Sequence, residues 1–156
     1  MKIAVLDNLR SVYNVGSIFR TANAAGIEKI YLCGTTPTPV DKRGHRRKDF
    51  AKVALGAEDT ITWEYKEDTL KILQELHASD AYIIALEQDS SSVDYKLVRI
   101  PVNKDIVFVL GKEVMGMSQD VLRECDVIAE IPMLGTKESL NVTIAFGIGV
   151  YRISGL

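Results

Sequence analysis

The sequence IVFVLGKEVMGMS, at residues 106–118, carries the clearest structural pattern of the chain. Five consecutive apolar residues are followed by a loop with two glycines, and Ser118 then begins a helical pattern. An unbroken apolar run of this length is typical of a strand that is covered on both faces of a parallel sheet. We therefore predict a buried strand over residues 106–110 with a loop at its carboxyl end.

Similar apolar runs recur along the chain and alternate with helical patterns. This alternation predicts an α/β domain with a mostly parallel sheet and helices on both faces. The predicted strands are residues 3–6, 30–33, 61–63, 82–86, 106–110 and 127–131. The predicted helices are residues 15–25, 48–55, 67–78, 118–124 and 140–153.

The composition is that of one ordinary globular domain over residues 1–156, with 47% hydrophobic and 26% charged residues. It excludes collagen, disordered chains and coiled coils. Cys33 and Cys125 lie far apart and form no C-x-x-C motif, so we predict no redox motif and no metal site. The first apolar run is too short for a signal peptide, and no run reaches the roughly 20 residues of a membrane span. We therefore expect a cytoplasmic protein without a membrane segment.

The net charge of −2 argues against a nucleic-acid partner, but the charge is unevenly distributed. Residues 1–52 contain 10 basic and 4 acidic residues, and residues 53–156 contain 9 and 17. The first part is therefore at +6, which indicates a surface that faces a polyanion. We predict that residues 35–47 form a mobile loop. Five cations lie in this loop or directly after it, and they either bind a polyanion or are simply a solvated run of surface charges. They are Lys42, Arg43, Arg46, Arg47 and Lys48.

Ligands of open α/β sheets collect at the carboxyl ends of the strands, so the loop after the first strand is a candidate site. Residues 8–22 contain Asn14, Gly16 and Arg20. Asn14 is either a functional amide or a helix N-cap, and Gly16 is either functional or a close-packing residue. Arg20 follows a core aromatic residue, and we predict that its guanidinium edges a cleft where it binds phosphate.

The loops after two later strands are also candidates. Residues 111–118 form a tight turn around Glu113, which is either a functional carboxylate or a solvated turn residue. Residues 132–143 contain Ser139, which fits a helix N-cap, and Asn141. Because an almost wholly apolar stretch follows, we expect a deeply buried helix with a buried Ser and Asn at its start, which a loop or a ligand must satisfy.

Other chemistries are less well supported. The loop at 111–118 lacks the lysine that a P-loop places after its second glycine, because Met117 stands there. The chain has two histidines, and neither is promising as the base of a Ser or Cys nucleophile. His45 lies among the cations at 42–48, and His77 lies at a helix end. No G-x-G-x-x-G follows the first strand, so the dinucleotide fingerprint is missing.

The three loops, in this order and at these distances, resemble the three motifs of the SpoU-type (TrmH-like) RNA 2'-O-ribose methyltransferases of the SPOUT superfamily. The first motif is represented by NVGSIFRTA at residues 14–22. The second corresponds to VLGKE at 109–113 with GMS at 116–118, and the third to IPM at 131–133 with SLNV at 139–142. ALGAE at 54–58 and ALE at 85–87 are also similar to that family, so the likeness covers the whole chain.

The resemblance implies an enzyme that transfers a methyl group from S-adenosylmethionine to a ribose 2'-hydroxyl of tRNA or rRNA. It also implies a carboxyl-terminal trefoil knot, which no spacing argument predicts because true knots are so rare. A symmetric homodimer is implied as well, with the first motif of one subunit beside the cofactor of the other. The separate RNA-binding domain of many relatives is not expected.

The resemblance assigns a role to each site residue. Arg20 is implied as the proton acceptor or as a group that positions phosphate and ribose, because a guanidinium is a weak base. Asn14 is implied to face the RNA, and Glu113, Ser139 and Asn141 to orient Arg20 and the hydroxyl. Apart from the resemblance, the excess of positive charge in residues 1–52 leads us to expect RNA contacts from Arg10 and the five cations at 42–48. Cofactor contacts are expected from Leu86, Gly111, Ile131, Met133 and Leu140.

Two residues depart from the family pattern in the second motif. Lys112 stands where Asn is usual, and Val114 stands where Gly is usual. Because Val resists positive φ, the turn before Gly116 is expected to follow a different path. These departures support an alternative function, in which the chain is a non-catalytic RNA-binding or assembly protein that retains the fold.

Overall fold

A seven-stranded, fully parallel sheet forms the centre of the computed structural model, which describes residues 1–156. The strands are β1 (Lys2–Asp7), β2 (Lys29–Cys33), β3 (Thr62–Lys66), β4 (Tyr82–Leu86), β5 (Val93–Asp94), β6 (Ile106–Leu110) and β7 (Val127–Glu130). The helices are α1 (Val12–Ala24), α2 (Lys48–Ala54), α3 (Ala57–Thr60), α4 (Thr69–Ala78), α5 (Gln119–Arg123) and α6 (Val142–Ser154). The strand order is β3-β2-β1-β6-β4-β7-β5.

The central strand β6 pairs with β1 on one side and with β4 on the other, and all five of its residues are buried. Successive side chains of β1 contribute to two different cores, as the strand pleat requires. Ala4 and Leu6 pack with residues of α1, α2, α3 and α6, and Ile3 and Val5 pack with residues of α4 and α5. The predicted α/β fold, with helices on both faces of a parallel sheet, is therefore confirmed.

Helix starts differ from the predicted ones because side chains other than those expected act as caps. Ser11 Oγ accepts a hydrogen bond from the Asn14 amide, so α1 begins at Val12 and Asn14 is not its N-cap. Asn141 Oδ1 accepts from the amide of Thr143, so α6 begins at Val142 and the predicted Ser139 cap is wrong. Gly16 is a close-packing residue, since a Cβ there would lie 3.1 Å from Val53 Cβ of α2.

Residues 39–47, which we call the basic hairpin, are folded and not an irregular loop. The amide of Arg47 donates to the Pro39 carbonyl at 2.9 Å, and Val40 and Arg46 form an antiparallel bridge. The Asp41 carboxylate accepts hydrogen bonds from the amides of Arg43 and His45 at 2.8 and 2.9 Å. The prediction of a mobile loop missed these local bonds, which a short polar side chain makes to its own turn.

The carboxyl ends of the parallel strands meet at one edge, so the loops after β1, β4, β6 and β7 lie near one another. The strand order does not define how the chain threads its loops, and the trefoil knot stays a prediction. The longest helices have 13 residues, fewer than the roughly 20 of a bilayer span, and none qualifies as a membrane helix.

Candidate functional site

One residue from each of the three motifs meets at the carboxyl edge of the sheet. Asn14 Nδ2 donates a hydrogen bond to Glu113 Oε1 at 3.2 Å, and Asn141 Nδ2 donates to Asn14 Oδ1 at 3.5 Å. Asn14 is buried, with 9% of its surface exposed, whereas Glu113 and Asn141 are exposed. Three residues separated by 99 and 127 positions therefore form one contact, which we call the polar junction.

One side chain of the polar junction, that of Asn141, is also the N-cap of α6. Asn141 Oδ1 accepts from both the amide and the hydroxyl of Thr143, at 2.8 and 2.6 Å, which leaves its NH₂ group to reach Asn14. The expectation that Ser139 and Asn141 are buried is wrong, because both are exposed. Ser139 takes no part in the hydrogen bonds of the junction.

An apolar recess lies beside the junction, between the ends of β4 and β7 and the start of α6. Its volume is about 100 Å³, and an outer recess of about 380 Å³ adjoins it. Glu87, Gln88 and Ser139 line both, and Glu113 lines the outer one. Four of the five predicted cofactor residues therefore share one recess. The apolar recess is lined by Leu86, Ile131, Met133 and Leu140, with Ala129 and Ala145.

Gly111, the fifth predicted residue, lies under the second-motif loop and not on the recess wall. A Cβ at Gly111 would lie 2.5 Å from Met117 Cγ and 2.9 Å from Met117 N, so no side chain fits. Val114 is almost fully exposed and does not need a positive φ; the left-handed position of this turn is Gly116, at φ +64°. The Val114 departure is thus accommodated without strain.

Glu87 is a site residue that sequence reasoning missed. Its Oε2 accepts from the Met117 amide at 3.2 Å, and its Oε1 accepts from the Gln88 amide at 2.9 Å. A Cβ at Gly116 would lie 2.6 Å from Glu87 Oε2, so the carboxylate packs tightly under the second-motif loop. Its position directly after β4 was the available signal, because strand ends of this sheet hold the site.

The third-motif loop, residues 131–140, forms no hydrogen bond with any other part of the chain. The amide and carbonyl of Gly111 also have no partner within the chain, although Gly111 is buried. Buried backbone polar groups are almost always paired. Ile131 and Leu140, two of the predicted cofactor residues, thus line the recess with backbone groups that have no partner within the chain.

Arg20 does not join the polar junction within one chain. It lies six residues beyond Asn14, about 9 Å further along α1, and its exposed side chain forms no hydrogen bond or ion pair. It lines a separate recess of about 250 Å³ with Asn23, Leu55, Gly56 and Thr60. The structure thus separates the predicted catalytic arginine from the other motif residues of the same chain.

The predicted RNA-binding cations fall into two groups. Arg46 forms ion pairs with Glu58 and Asp59 at 2.7 and 2.9 Å, and Arg47 pairs with Asp49 at 3.0 Å. The remaining four are exposed and form no ion pair: Arg10, Lys42, Arg43 and Lys48. Only part of the positive charge counted in the sequence is thus available to a polyanion.

The thiols and imidazoles lie outside the site. Burial raises the pKa of both Cys33 and Cys125 to about 12, so neither is a thiolate at neutral pH. His77 pairs with Glu124 on the surface, and His45 pairs with Asp41 in the basic hairpin. No group of three or more potential metal ligands is found. The chemistry of the site is therefore that of amides, carboxylates and backbone groups.

A parallel sheet with an apolar recess and converging polar loops at its carboxyl edge defines a ligand-binding α/β domain. Comparison with known proteins identifies the family to which this domain belongs. The chain belongs to the SpoU rRNA methylase family, whose model matches residues 1–151. The resemblance of the three motifs is thereby confirmed.

Named relatives and solved structures agree with this membership. The chain is 31% identical over 150 residues to a 23S rRNA (guanosine-2'-O-)-methyltransferase from Xylella fastidiosa, covering 96% of this chain and 57% of the relative. Its counterpart from Bordetella pertussis is 27% identical, with 96% and 58% covered. The chain thus spans just over half the length of these curated relatives.

Two solved structures are similar in fold and sequence. The AdoMet-bound rRNA methyltransferase from Sinorhizobium meliloti matches with a TM-score of 0.88 and 28% identity, covering 99% of this chain and 56% of that one. A TrmH/SpoU tRNA modifying enzyme from A. aeolicus matches with a TM-score of 0.83 and 26% identity, covering 99% and 74%.

Proposed function

We propose that the protein is an S-adenosylmethionine-dependent RNA methyltransferase that modifies a ribose 2'-hydroxyl of tRNA or rRNA. The observation that carries the proposal is the polar junction of Asn14, Glu113 and Asn141 next to the apolar recess. Family membership and the names of the relatives, which act on rRNA and tRNA, support the substrate class.

The apolar recess and the outer recess fit S-adenosylmethionine. Leu86, Ile131, Met133 and Leu140 offer apolar walls to a purine, and free backbone groups at the loops can bind its polar edge. Together the two recesses reach the roughly 300–1,000 Å³ of typical small-molecule sites. Bound there, S-adenosylmethionine supplies an electrophilic methyl group.

Within the site, Glu113 orients the ribose hydroxyl and accepts its proton. A carboxylate that lines the outer recess can accept a hydrogen bond, whereas a guanidinium offers only donors. Asn14 and Asn141 hold Glu113 in place through the polar junction. In-line placement of the hydroxyl then provides most of the catalysis. Arg20 binds the RNA phosphate beside the target ribose.

A homodimer completes this site in our proposal, because Arg20 is remote from the polar junction of its own chain. Ile144, Ile148 and Tyr151 form an exposed apolar stripe on α6, spaced as one helix face. The same stripe shows that the predicted deep burial of α6 is wrong for a single chain. A second copy seated there would bring its Arg20 toward the recess.

The test is methyl transfer from radiolabelled S-adenosylmethionine to bulk tRNA and rRNA, followed by nuclease digestion and nucleoside identification. We expect 2'-O-methylated nucleosides, and we expect Arg20→Ala to abolish transfer while cofactor binding is retained. Cofactor binding without transfer to any RNA would overturn the proposal in favour of the non-catalytic RNA-binding alternative. A methylated base would place the reaction on a different atom.

A further inference from the structure

Glu58 is a buried carboxylate that the proposed reaction does not use. Its side chain is 2% exposed, and both of its oxygens have partners. Oε1 accepts from Arg46 Nη2 at 2.7 Å, and Oε2 accepts from the Gly56 amide at 3.0 Å. The Glu58 carboxylate thus connects two segments, because it holds the half-exposed Arg46 guanidinium with one oxygen and the Gly56 amide with the other.

The segment held by Arg46 is the basic hairpin. Arg46 closes the hairpin through its bridge to Val40, and it also pairs with the exposed Asp59 at 2.9 Å. Within the hairpin, Asp41 fixes the turn by accepting from the amides of Arg43 and His45. The hairpin is therefore a preformed unit that is attached to the body of the protein at one side.

The connection leaves a defined set of free cations. Lys42 and Arg43 lie at the tip of the hairpin, and Lys48 begins α2; all three are exposed and form no ion pair. Arg46 and Arg47, by contrast, are neutralised by acidic partners. Only three of the five cations at residues 42–48 are therefore available to phosphates.

The same connection also builds the recess of Arg20. Gly56, which donates to Glu58, lines that recess together with Leu55 and Thr60. Thr60 in turn accepts a hydrogen bond from Asn23 of α1 at 2.8 Å. The hairpin and the Arg20 recess are thus linked by one short run of residues, 54–60, which pairs with Arg46 through Glu58 and lines the recess through Gly56 and Thr60.

We infer that the Glu58–Arg46 pair is an anchor that fixes the basic hairpin so that Lys42, Arg43 and Lys48 bind RNA phosphates next to Arg20. Glu58 and Arg46 are positioning residues, and neither touches RNA. The inference rests on the proposed function, because it takes RNA as the partner. Fixing the hairpin before binding lowers the entropy that is lost when the phosphates are bound.

The first test counts phosphate contacts through the salt dependence of binding to a fluorescein-labelled single-stranded oligoribonucleotide. Each lost contact reduces the slope of log affinity against log salt concentration by about 0.7. We expect the triple variant Lys42→Ala, Arg43→Ala, Lys48→Ala to reduce the slope by about 2. The matched control Arg47→Gln removes one cation of the same hairpin and should leave the slope unchanged.

The second test separates positioning from direct contact. In Glu58→Gln the anchor is weakened but every free cation remains, so we expect RNA affinity to fall by about tenfold with an unchanged salt slope. Hydrogen exchange should rise within residues 39–47, and cofactor affinity should not change. Arg46→Lys, which keeps the charge but not the guanidinium geometry, should behave in the same way. Asp59→Asn, which removes only the exposed partner, should have little effect.

Failure of the inference can be told apart from failure of the proposed function. If the protein methylates RNA but the triple variant keeps the wild-type slope, or Arg47→Gln reduces it, the inference is wrong and the function stands. An unchanged RNA affinity in both Glu58→Gln and Arg46→Lys would also refute the anchor. If the wild-type protein binds the cofactor but no RNA at any salt concentration, both proposals fail.

Discussion

The basic hairpin and the third-motif loop are surface segments of nearly equal length with opposite internal bonding. Residues 39–47 are bonded to themselves and, through Arg46, to Glu58. Residues 131–140 form no hydrogen bond within the chain, although they border the apolar recess. The hairpin is thus organised by bonds within the chain, whereas the backbone groups of the third-motif loop have no partner there.

The proposed partners explain why the two segments differ in their hydrogen bonding. A polyphosphate surface needs cations at fixed positions before the RNA arrives, and local bonds in the hairpin provide them. A small-molecule site gains affinity from backbone groups that have no other partner, and the third-motif loop provides those. Four predictions test whether the two segments differ as this comparison requires.

The largest effect is expected from Gly111→Ala, which should disable the recess and leave the hairpin intact. The new Cβ would overlap Met117, and overpacking of this kind costs roughly 1–3 kcal/mol. If this cost falls on the cofactor-bound state, we expect cofactor affinity, measured by calorimetry, to fall by up to about 100-fold. Gly147→Ala is the control, because its Cβ meets only Thr21 Cγ2 at 3.6 Å. Equal affinities of the two variants would show that the loop is not held as described.

Asn14→Ala should separate catalysis from binding. It removes the middle member of the polar junction, so Glu113 loses its hydrogen bond and its fixed position. Small misplacements of catalytic groups cost about 100-fold in rate, and we expect a fall of that size in methyl transfer. Cofactor affinity should stay within about twofold of wild type, because Asn14 lines neither recess. A large loss of cofactor binding would contradict the separate roles.

Hydrogen exchange should report the contrast between the two segments directly. We expect the demethylated cofactor product to slow exchange within residues 131–140 by about tenfold, because its polar groups occupy backbone groups that are free in the chain alone. Exchange within residues 39–47 should not change. Protection of the hairpin without protection of the loop would reverse the comparison.

The smallest expected effect is a loss of stability of the basic hairpin at low pH. Hydrogen bonds from the backbone amides of His45 and Arg43 lower the pKa of Asp41 below its ordinary value of 3.8. The stabilisation is therefore present above pH 3.8 and is lost as the pH falls through the lower pKa of the folded state. NMR titration should show the amides of Arg43 and His45 shifting with a midpoint below 3.8. A midpoint at or above that value would mean that the carboxylate does not hold the turn.

Much of the fold could be predicted from the sequence, because short apolar runs such as residues 106–110, alternating with helical patterns, are typical of strands in a sheet that is covered on both faces. β5 could not, since Val93–Asp94 carries no pattern and is a strand only by pairing with β7. The exposure of Ile144 and Ile148 could not be predicted from the sequence either, because the residues of an apolar helix can face the core or an unpartnered surface.

For the candidate site, the motifs predicted which residues lie close together. Leu86, Ile131, Met133 and Leu140 share one recess because strand ends of a parallel sheet converge. The pairing of Arg46 with Glu58 could not be foreseen, because it depends on how the chain turns after α2. For the same reason, the charge count of residues 42–48 overestimated the cations that are free to bind RNA.

The position of β6 between β1 and β4 has a consequence for how the chain folds. Neither neighbour pairs with the other, so both keep an open apolar edge until residues 106–110 have been synthesised and inserted. Contacts across such sequence distances form slowly, and unpaired strand edges promote association with other chains. A chain that ends before residue 106 should therefore aggregate, and refolding of the whole chain should be limited by the insertion of its central strand.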